Sequence, residues 1–371
     1  MSNYDAIIVG GGPAGSTCAW QMVKHGMDVM VLDKAAFPRD KVCAGWITPA
    51  VVDALQLDIE EYGQEHVLQQ ISSFRTGLID GNDVETHYPD TVSYGIRRFE
   101  LDNYLLQRSG AQLVLDSPLQ SLERSGKNWV VNKEYTAPLV IGAGGHFCPV
   151  ARSMGAELGA DEHAITAKET EIKMSVFQQL DCRVNGEMPE LYFCQDLMGY
   201  GWCFRKGEYL NIGLGREGGH GLTGHLEHFC DFLKRHDRIP QDIPDKFHGH
   251  AYLLHGHSKR KHLDDGMLLV GDAAGLAYPQ SGEGIRPAVE SALMAVETII
   301  EANECYGREQ LYPYTRRLLE RFGAVNSHRE VAPDAMRMYF ARALLGNRWF
   351  TRHVVLDRWF LHTRQAALHA S

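Results

Sequence analysis

The feature that most constrains the fold of this chain is a glycine-rich turn close to its N-terminus. Residues 10–15 follow the pattern G-x-G-x-x-G and come directly after an apolar run at residues 6–9. A turn of this kind lets a strand pass tightly into a helix, and the N-terminus of that helix can hold a diphosphate. Residues 13–25 are predicted to form this helix, and residues 29–32 a second strand. The chain is therefore predicted to open with a Rossmann-type βαβ unit.

Individual positions of this unit have separate tasks. Gly10 permits the tight turn, Gly12 lets the backbone approach a diphosphate, and Gly15 lets the helix pack closely against the strand. Asp33 ends the second strand, where a carboxylate can accept hydrogen bonds from a ribose diol. These residues predict a dinucleotide ligand, but they do not distinguish FAD from NAD.

A second glycine-bearing segment makes that distinction. Residues 271–275, Gly-Asp-Ala-Ala-Gly, follow an apolar run and precede a long helix predicted at residues 284–304. Asp272 can accept hydrogen bonds from the ribityl hydroxyls of a flavin, and Gly282 and Gly284 leave room for its isoalloxazine ring. The positive end of the helix would stabilise the negative charge of a reduced flavin. Together the two segments predict one non-covalently bound FAD.

The second segment also resembles the fingerprint of a known family. Residues 271–275 with Pro279, residues 282–285 and Ala288 are similar to the geranylgeranyl reductase family, a branch of the para-hydroxybenzoate hydroxylase-like flavoproteins. The resemblance extends over nearly all of the first 300 residues. It implies an α/β fold with a Rossmann-type (glutathione-reductase-like) FAD-binding domain, an inserted antiparallel-sheet substrate domain and a helical C-terminal region.

Three further stretches support the resemblance. The loop with Arg39 and Cys43 is similar to the family's R-x-K-x-C-G-G loop, in which the basic residue contacts the FAD phosphates and the cysteine lies near the flavin or substrate. Arg98 matches an arginine that reaches the cofactor, and residues 200–215 resemble a hairpin that helps line the substrate cavity. The residues expected to bind FAD are Gly10, Gly12, Pro13, Ala14, Gly15, Asp33, Lys34, Arg39, Cys43, Ala44, Arg98, Gly144, Asp272, Gly282, Gly284 and Ile285.

The substrate pocket is expected on the inserted sheet. Its predicted residues are Tyr200, Trp202 and Phe204, with Tyr192 and Phe193 as further candidates for the wall. Cys43 is the one candidate for a catalytic residue, and the sequence identifies no general acid.

Departures from the family pattern leave the reaction open. Arg205 replaces a proline of the hairpin, Ala44 replaces a glycine, and residues 142–152 lack the aspartate that hydroxylases use for FAD and NAD(P)H.

The resemblance implies an FAD-dependent oxidoreductase that reduces carbon–carbon double bonds of an apolar, isoprenoid-like substrate by hydride transfer from reduced FAD. One alternative is a monooxygenase or halogenase that acts through a flavin hydroperoxide, although the W-x-W-x-I-P motif of flavin halogenases is lacking. A second alternative is a flavin electron-transfer protein at a membrane surface. NADPH and a reduced protein carrier both stay open as electron donor.

The strands of the inserted sheet are predicted where hydrophobic and polar residues alternate. These segments are residues 169–181, 190–195, 199–206 and 209–216, with a tight turn at residues 207–208. The predicted organisation is residues 1–66, 96–164 and 259–306 for FAD binding, 67–95 and 165–258 for the substrate domain, and 307–371 for the C-terminal helical region.

Charge and composition limit the classes of partner and the cellular location that can be expected for this chain. A net charge of -10 disfavours nucleic acid, because a phosphate backbone requires a basic surface. The eight cysteines include no Cys-x-x-Cys pair, and no apolar run approaches the roughly 20 residues of a membrane-spanning helix. A cytoplasmic location is expected, with peripheral contact at the inner membrane face as the alternative.

Two clusters of residues are each open to a structural and a functional interpretation. Five histidines between residues 248 and 262 form no ligand pattern, so no metal is expected. Residues 342–369 combine basic and aromatic side chains that could contact a membrane, but a helix that caps the cavity is favoured over that possibility. The residues concerned are Arg348, Trp349, Phe350, Arg352, Arg358, Trp359 and Phe360.

Overall fold

A six-stranded sheet forms the centre of the part of the chain that is predicted to bind FAD. The computed structural model describes residues 1–157, 164–219, 221–323 and 342–369. In spatial order the strands are Leu263–Asp264, Met267–Leu269, Leu139–Gly142, Ala6–Val9, Val29–Leu32 and Gln112–Val114. All neighbouring pairs are parallel except the pair that contains the first strand. The four strands in the middle of this order are apolar runs that are buried throughout, as expected for a parallel sheet covered on both faces.

Two helices pack against each other beside this sheet. Pro13–Lys24 follows the glycine turn and begins with proline, whose missing N–H has no partner to lose at that position. Ile285–Glu301 is buried along most of its length and contacts the first helix. It ends three residues before the predicted limit. Further α-helices in the described ranges are Pro49–Leu55, Ile59–Glu65, Arg98–Arg108, Pro149–Ser153, Val176–Asp181, Leu222–Arg235 and Arg308–Phe322.

A seven-stranded sheet forms the second layer. Its spatial order is His248–Leu253, Ala164–Lys173, Tyr209–Arg216, Gly199–Lys206, Glu190–Phe193, Ser73–Leu78 and Asp83–His87. Only the pair Glu190–Phe193 and Ser73–Leu78 is parallel. The predicted hairpin is present, because Lys206 pairs with Tyr209 across residues 207–208. One face packs on the helix Leu222–Arg235, and the other face carries a cluster of aromatic residues.

Two smaller sheets complete the fold. A three-stranded sheet contains Trp46–Ile47, Ser93–Ile96 and Leu68–Ile71, and a four-stranded sheet contains Ser2–Asn3, Tyr135–Ala137, Asn128–Val131 and Leu122–Ser125. At the C-terminus a short helix, Arg348–Phe350, continues into a π-helix, Thr351–Phe360. The predicted α/β class, with an inserted antiparallel sheet and C-terminal helices, is confirmed.

The prediction of a continuous strand over residues 169–181 is wrong. The strand is Ala164–Lys173, and Val176–Asp181 is a helix. Ser175 caps this helix, because its hydroxyl accepts from the Gln178 N–H while the Gln178 side chain accepts from the Ser175 N–H. This reciprocal cap satisfies two backbone N–H donors at the point where the strand ends, and it overrides the apparent alternation.

Candidate functional site

A cavity of about 590 Å³ lies where the glycine turns meet the seven-stranded sheet. Its walls come from the turn at residues 10–14, the loop at residues 39–46, the segment at residues 143–149, the loop at residues 281–284 and strands of the seven-stranded sheet. Segments far apart in sequence thus converge on one space. Such a cavity at the ends of parallel strands is the usual ligand position in open α/β sheets.

Almost all of the predicted site residues line this cavity. Among the residues expected to bind FAD, only Gly15 does not, and the three predicted pocket residues, Tyr200, Trp202 and Phe204, do. Gly15 lies beneath the turn, where a Cβ atom would come within 1.8 Å of the Gly10 carbonyl oxygen. Gly15 therefore allows close packing of helix and strand, and it does not line the cavity. The assignment of cofactor contacts to the other residues stays a prediction.

Asp33 is a buried carboxylate that holds the first glycine turn in place. Its Oδ2 accepts from the Gly11 N–H at 2.6 Å and its Oδ1 accepts from the Ala35 N–H at 2.9 Å. Each carboxylate oxygen can accept a further hydrogen bond. Asp33 can therefore support the turn and still bind a hydroxyl of a ligand in the cavity.

Asp102 positions two arginines at the cavity wall. Arg98 donates from Nε and Nη2 to the two Asp102 oxygens at 2.6 and 2.8 Å, and Arg39 Nη1 lies 3.3 Å from Asp102 Oδ2. Burial opposes the charged form of Arg98, but Asp102 outweighs it and raises the pKa of Arg98. Both arginines thus present fixed positive charge to the cavity, as expected for residues that bind a diphosphate.

Lys41 and His250 form a pair that the sequence did not predict. Lys41 Nζ lies 2.8 Å from His250 Nε2, and His250 Nε2 lies 3.8 Å from Asp272 Oδ2. Burial lowers the pKa of Lys41 to about 8, with the charge of Arg98 acting in the same direction. Burial and Lys41 also lower the pKa of His250. Burial alone would raise the pKa of Asp272, but His250, Lys41 and Arg98 hold it below its usual value, so Asp272 stays ionised.

The second glycine loop passes too close to Tyr252 to accept a side chain at position 282. Gly282 has a φ of +68°, and a Cβ atom there would lie 2.3 Å from the Tyr252 hydroxyl. Between the two glycines, Glu283 has two buried carboxylate oxygens without a hydrogen-bond partner. Burial raises the pKa of Glu283 to about 8, although the charge of Arg286 partly opposes this. Glu283 is therefore largely neutral at pH 7.

An aromatic wall closes the opposite side of the cavity. It contains Trp46, Leu191, Tyr200, Trp202, Phe204 and Phe360. Phe360 makes edge-to-face contacts with Trp46 and Tyr200, at centroid distances of 5.8 and 5.3 Å. Neither Tyr192 nor Phe193 lines the cavity. Tyr192 lies on the other face of the sheet and packs on Phe232, whereas Phe193 packs against Tyr200 and Phe360 within the aromatic cluster.

A buried polar network supports the loop that carries Cys43. Asn211 donates to the Cys43 carbonyl oxygen at 3.1 Å and to Glu169 Oε2 at 2.5 Å, and it accepts from Trp202 Nε1 at 2.8 Å. Burial raises the pKa of Glu169 to about 7. Cys43 itself is half-buried on the cavity wall, and its Sγ accepts from the Gly45 N–H at 3.4 Å.

The C-terminal aromatic residues divide between the cavity wall and the surface. Phe360 is buried in the aromatic wall, whereas Trp349 is 66% exposed. Across the described ranges, no helix is both long and apolar enough to cross a bilayer. In the same part of the chain, no three His, Cys, Asp or Glu side chains are arranged to hold a metal ion.

Sequence comparisons identify relatives of the chain. A family model described as "FAD binding domain" matches residues 3–321. Digeranylgeranylglycerophospholipid reductase of Methanocaldococcus jannaschii is 28% identical over 337 residues, covering 86% of this chain and 83% of the relative. Menaquinone reductase of Mycobacterium tuberculosis is 27% identical over 327 residues, covering 80% and 76%.

Solved structures share the fold. A geranylgeranyl bacteriochlorophyll reductase-like protein from Thermoplasma acidophilum superposes with a TM-score of 0.74 at 22% identity, covering 93% of this chain and 88% of the other. The flavin-dependent halogenase CmlS gives a TM-score of 0.65 at 20% identity, covering 87% and 63%. At these identities the likeness concerns the fold alone and does not choose between reduction and halogenation.

Proposed function

Because the chain belongs to the FAD binding domain family and is an FAD-dependent oxidoreductase, we propose that it reduces carbon–carbon double bonds of an apolar, isoprenoid-like substrate. The relatives support this proposal through their names, since digeranylgeranylglycerophospholipid reductase and geranylgeranyl diphosphate reductase both refer to polyprenyl groups. Their identity to this chain is 28% and 27%.

The residues around the cavity suit FAD. Arg39 Nη1 is a buried donor without a hydrogen-bond partner, although it lies near Asp102, and the N-terminus of Pro13–Lys24 opens on the same space. A diphosphate would satisfy both. Asp272 and the glycine loop at residues 282–284 are the corresponding groups for the ribityl chain and the ring. Bound FAD would supply hydride chemistry, and the protein residues would orient it and set its electrostatic environment.

The aromatic wall is the observation that carries the proposal. It faces the charged and glycine-lined half of the cavity, so one space offers a polar cradle and an apolar surface. Trp46, Trp202 and Phe204 are each less than 9% exposed, and they would exclude water from a hydrocarbon chain. A small polar substrate would gain little from such a wall.

Anaerobic turnover with a chemically reduced enzyme tests the proposal without a physiological electron donor. The holoenzyme, reduced with dithionite, is mixed with geranylgeranyl diphosphate, and the product is analysed by mass spectrometry. We expect a gain of two hydrogens for each reduced bond, and no change with enzyme left in the oxidised state. Unchanged prenyl chains of every length tried, or incorporation of oxygen when air is admitted, would contradict a reductase.

A further inference from the structure

Tyr252 presents a hydroxyl group to the place where the glycine loop meets the aromatic wall. Its side chain lines the cavity and packs against the aromatic cluster of the seven-stranded sheet. The hydroxyl lies close to the loop, because a Cβ atom on Gly282 would be 2.3 Å away, and one on Gly215 would be 3.6 Å away. Tyr252 is thus held between the segment expected to contact the ring and the wall expected to contact the substrate.

The Tyr252 hydroxyl differs from the neighbouring polar groups because nothing in the described part of the chain engages it. Tyr200 donates its hydroxyl hydrogen to the Ser281 carbonyl oxygen at 2.5 Å, and Trp202 donates to Asn211. The two Glu283 oxygens also lack a partner within the described ranges, but protein atoms cover them. Among the same residues, the Tyr252 oxygen lacks a partner and is not covered in this way. A half-buried hydroxyl that is neither paired nor covered is available to a molecule in the cavity.

We infer that Tyr252 is the proton donor for reduction of the double bond. This inference rests on the proposed function. One carbon of the double bond receives a hydride from the reduced flavin, and the other carbon receives the proton of the Tyr252 hydroxyl. The substrate is reduced by two electrons, the flavin is oxidised by two electrons, and water returns a proton to the tyrosinate. Two C–H bonds form, while the carbon–carbon π bond, the tyrosine O–H bond and the bond that holds the hydride in the reduced flavin break.

The environment of Tyr252 bears on the timing of this transfer. Burial raises the pKa of Tyr252 above its usual value, and the charge of Asp272 acts in the same direction. The hydroxyl therefore stays protonated at neutral pH, but it is a weak acid. A weak acid releases its proton only as negative charge develops on the acceptor, so proton and hydride transfer are expected in one step with a solvent deuterium isotope effect.

The test compares three variants of the holoenzyme in single-turnover reoxidation by geranylgeranyl diphosphate. Tyr252→Phe removes one oxygen and keeps the ring. Tyr192→Phe is the matched control, because it removes a hydroxyl from the opposite face of the same sheet. Cys43→Ala tests the other candidate on the cavity wall. We expect Tyr252→Phe to slow reoxidation by about 10²-fold or more and to change the solvent isotope effect, while Tyr192→Phe stays near the wild-type rate.

Binding measurements separate chemistry from folding. The dissociation constants of FAD and of the fully saturated prenyl diphosphate should be unchanged in Tyr252→Phe, because a donor acts on the reacting bond and not on the saturated chain. Equal rates for Tyr252→Phe and Tyr192→Phe, a loss explained by weaker binding, or a loss confined to Cys43→Ala would each overturn the inference alone. A wild-type enzyme that leaves every double bond intact would overturn the proposed function and this inference with it.

Discussion

Lys41 is a half-buried lysine on the cavity wall, and its charge should make FAD binding depend on pH. Burial lowers the pKa of Lys41 in the free protein to about 8. A bound diphosphate favours the protonated form, so the pKa in the complex is higher. Between the two pKa values, binding takes up a proton, and the dissociation constant of FAD should rise by up to about tenfold per pH unit. Below pH 8 it should be nearly constant, because Lys41 is then protonated in both states.

Substitution of the lysine provides the control for this pH dependence. Lys41→Met should bind FAD more weakly at pH 7 and should show no rise in the dissociation constant between about pH 8 and pH 9, where wild type shows its rise. Lys24→Met, at an exposed site outside the cavity, should behave as wild type does. Titration of the apoprotein with FAD, followed by flavin fluorescence, measures the dissociation constants of wild type, Lys41→Met and Lys24→Met. A wild-type constant that is flat over this range would show that Lys41 does not interact with the cofactor.

Site residues were predictable where their signal is local in the sequence. Asp272 and Gly282 belong to one short motif, and the backbone geometry of the turn explains why those residue types occur there. The pair of Lys41 with His250 joins positions 209 residues apart and has no motif. Tyr252 was missed for the same reason, because a lone tyrosine on a strand is ordinarily a packing residue. A tertiary structure was needed to show that its hydroxyl faces the cavity.

The C-terminal π-helix closes the aromatic wall, and Phe360 is the residue through which it does so. Phe360 is 1% exposed and contacts aromatic residues from three other elements. Phe360→Ala would leave a cavity at this junction, and we expect the free energy of unfolding to fall by about 3 kcal/mol or more. Urea denaturation measures the change. π-helical turns often occur at functional sites, which agrees with this position on the cavity wall.

An exposed aromatic residue at the start of the same segment supplies the matched comparison. Trp349 is 66% exposed, so Trp349→Ala should change the free energy of unfolding by less than about 0.5 kcal/mol. Equal losses for the two substitutions would mean that the π-helix does not pack into the wall. A membrane role of this segment would instead appear as a loss of liposome binding in Trp349→Ala with unchanged stability.

Elements were predictable when their periodicity was long and uninterrupted. Pro13–Lys24 and Ile285–Glu301 carry strong start signals and consistent apolar faces, so both were expected within a few residues. Val176–Asp181 is only six residues long, and the cap at Ser175 was the only local sign of a helix. Short strands such as Leu122–Ser125 are mostly exposed and lack a buried face, so they give no apolar pattern to detect.

At the scale of the whole molecule, the cavity exists only when both large sheets and the C-terminal helix are assembled. The glycine turns belong to the parallel sheet, Trp202 and Tyr252 belong to the seven-stranded sheet, and Phe360 belongs to the π-helix. The sequence predicted both sheets but not how closely they meet, since that distance depends on packing among residues hundreds of positions apart. A ligand that fills this cavity would contact each of these parts.

This arrangement predicts that FAD stabilises the whole described assembly and not only its own turn. A ligand that binds only the folded state adds about 2.7 kcal/mol at a concentration 100 times its dissociation constant. We expect FAD to raise the melting temperature of the protein. Far-UV circular dichroism, the near-UV signal of the aromatic wall and flavin fluorescence should all report the same raised value. ADP should give a smaller shift, because it can fill the diphosphate cradle but cannot reach the loop at residues 282–284. An aromatic signal that melts earlier and ignores FAD would mean that the two sheets unfold separately, and the ring of the flavin would then not couple them.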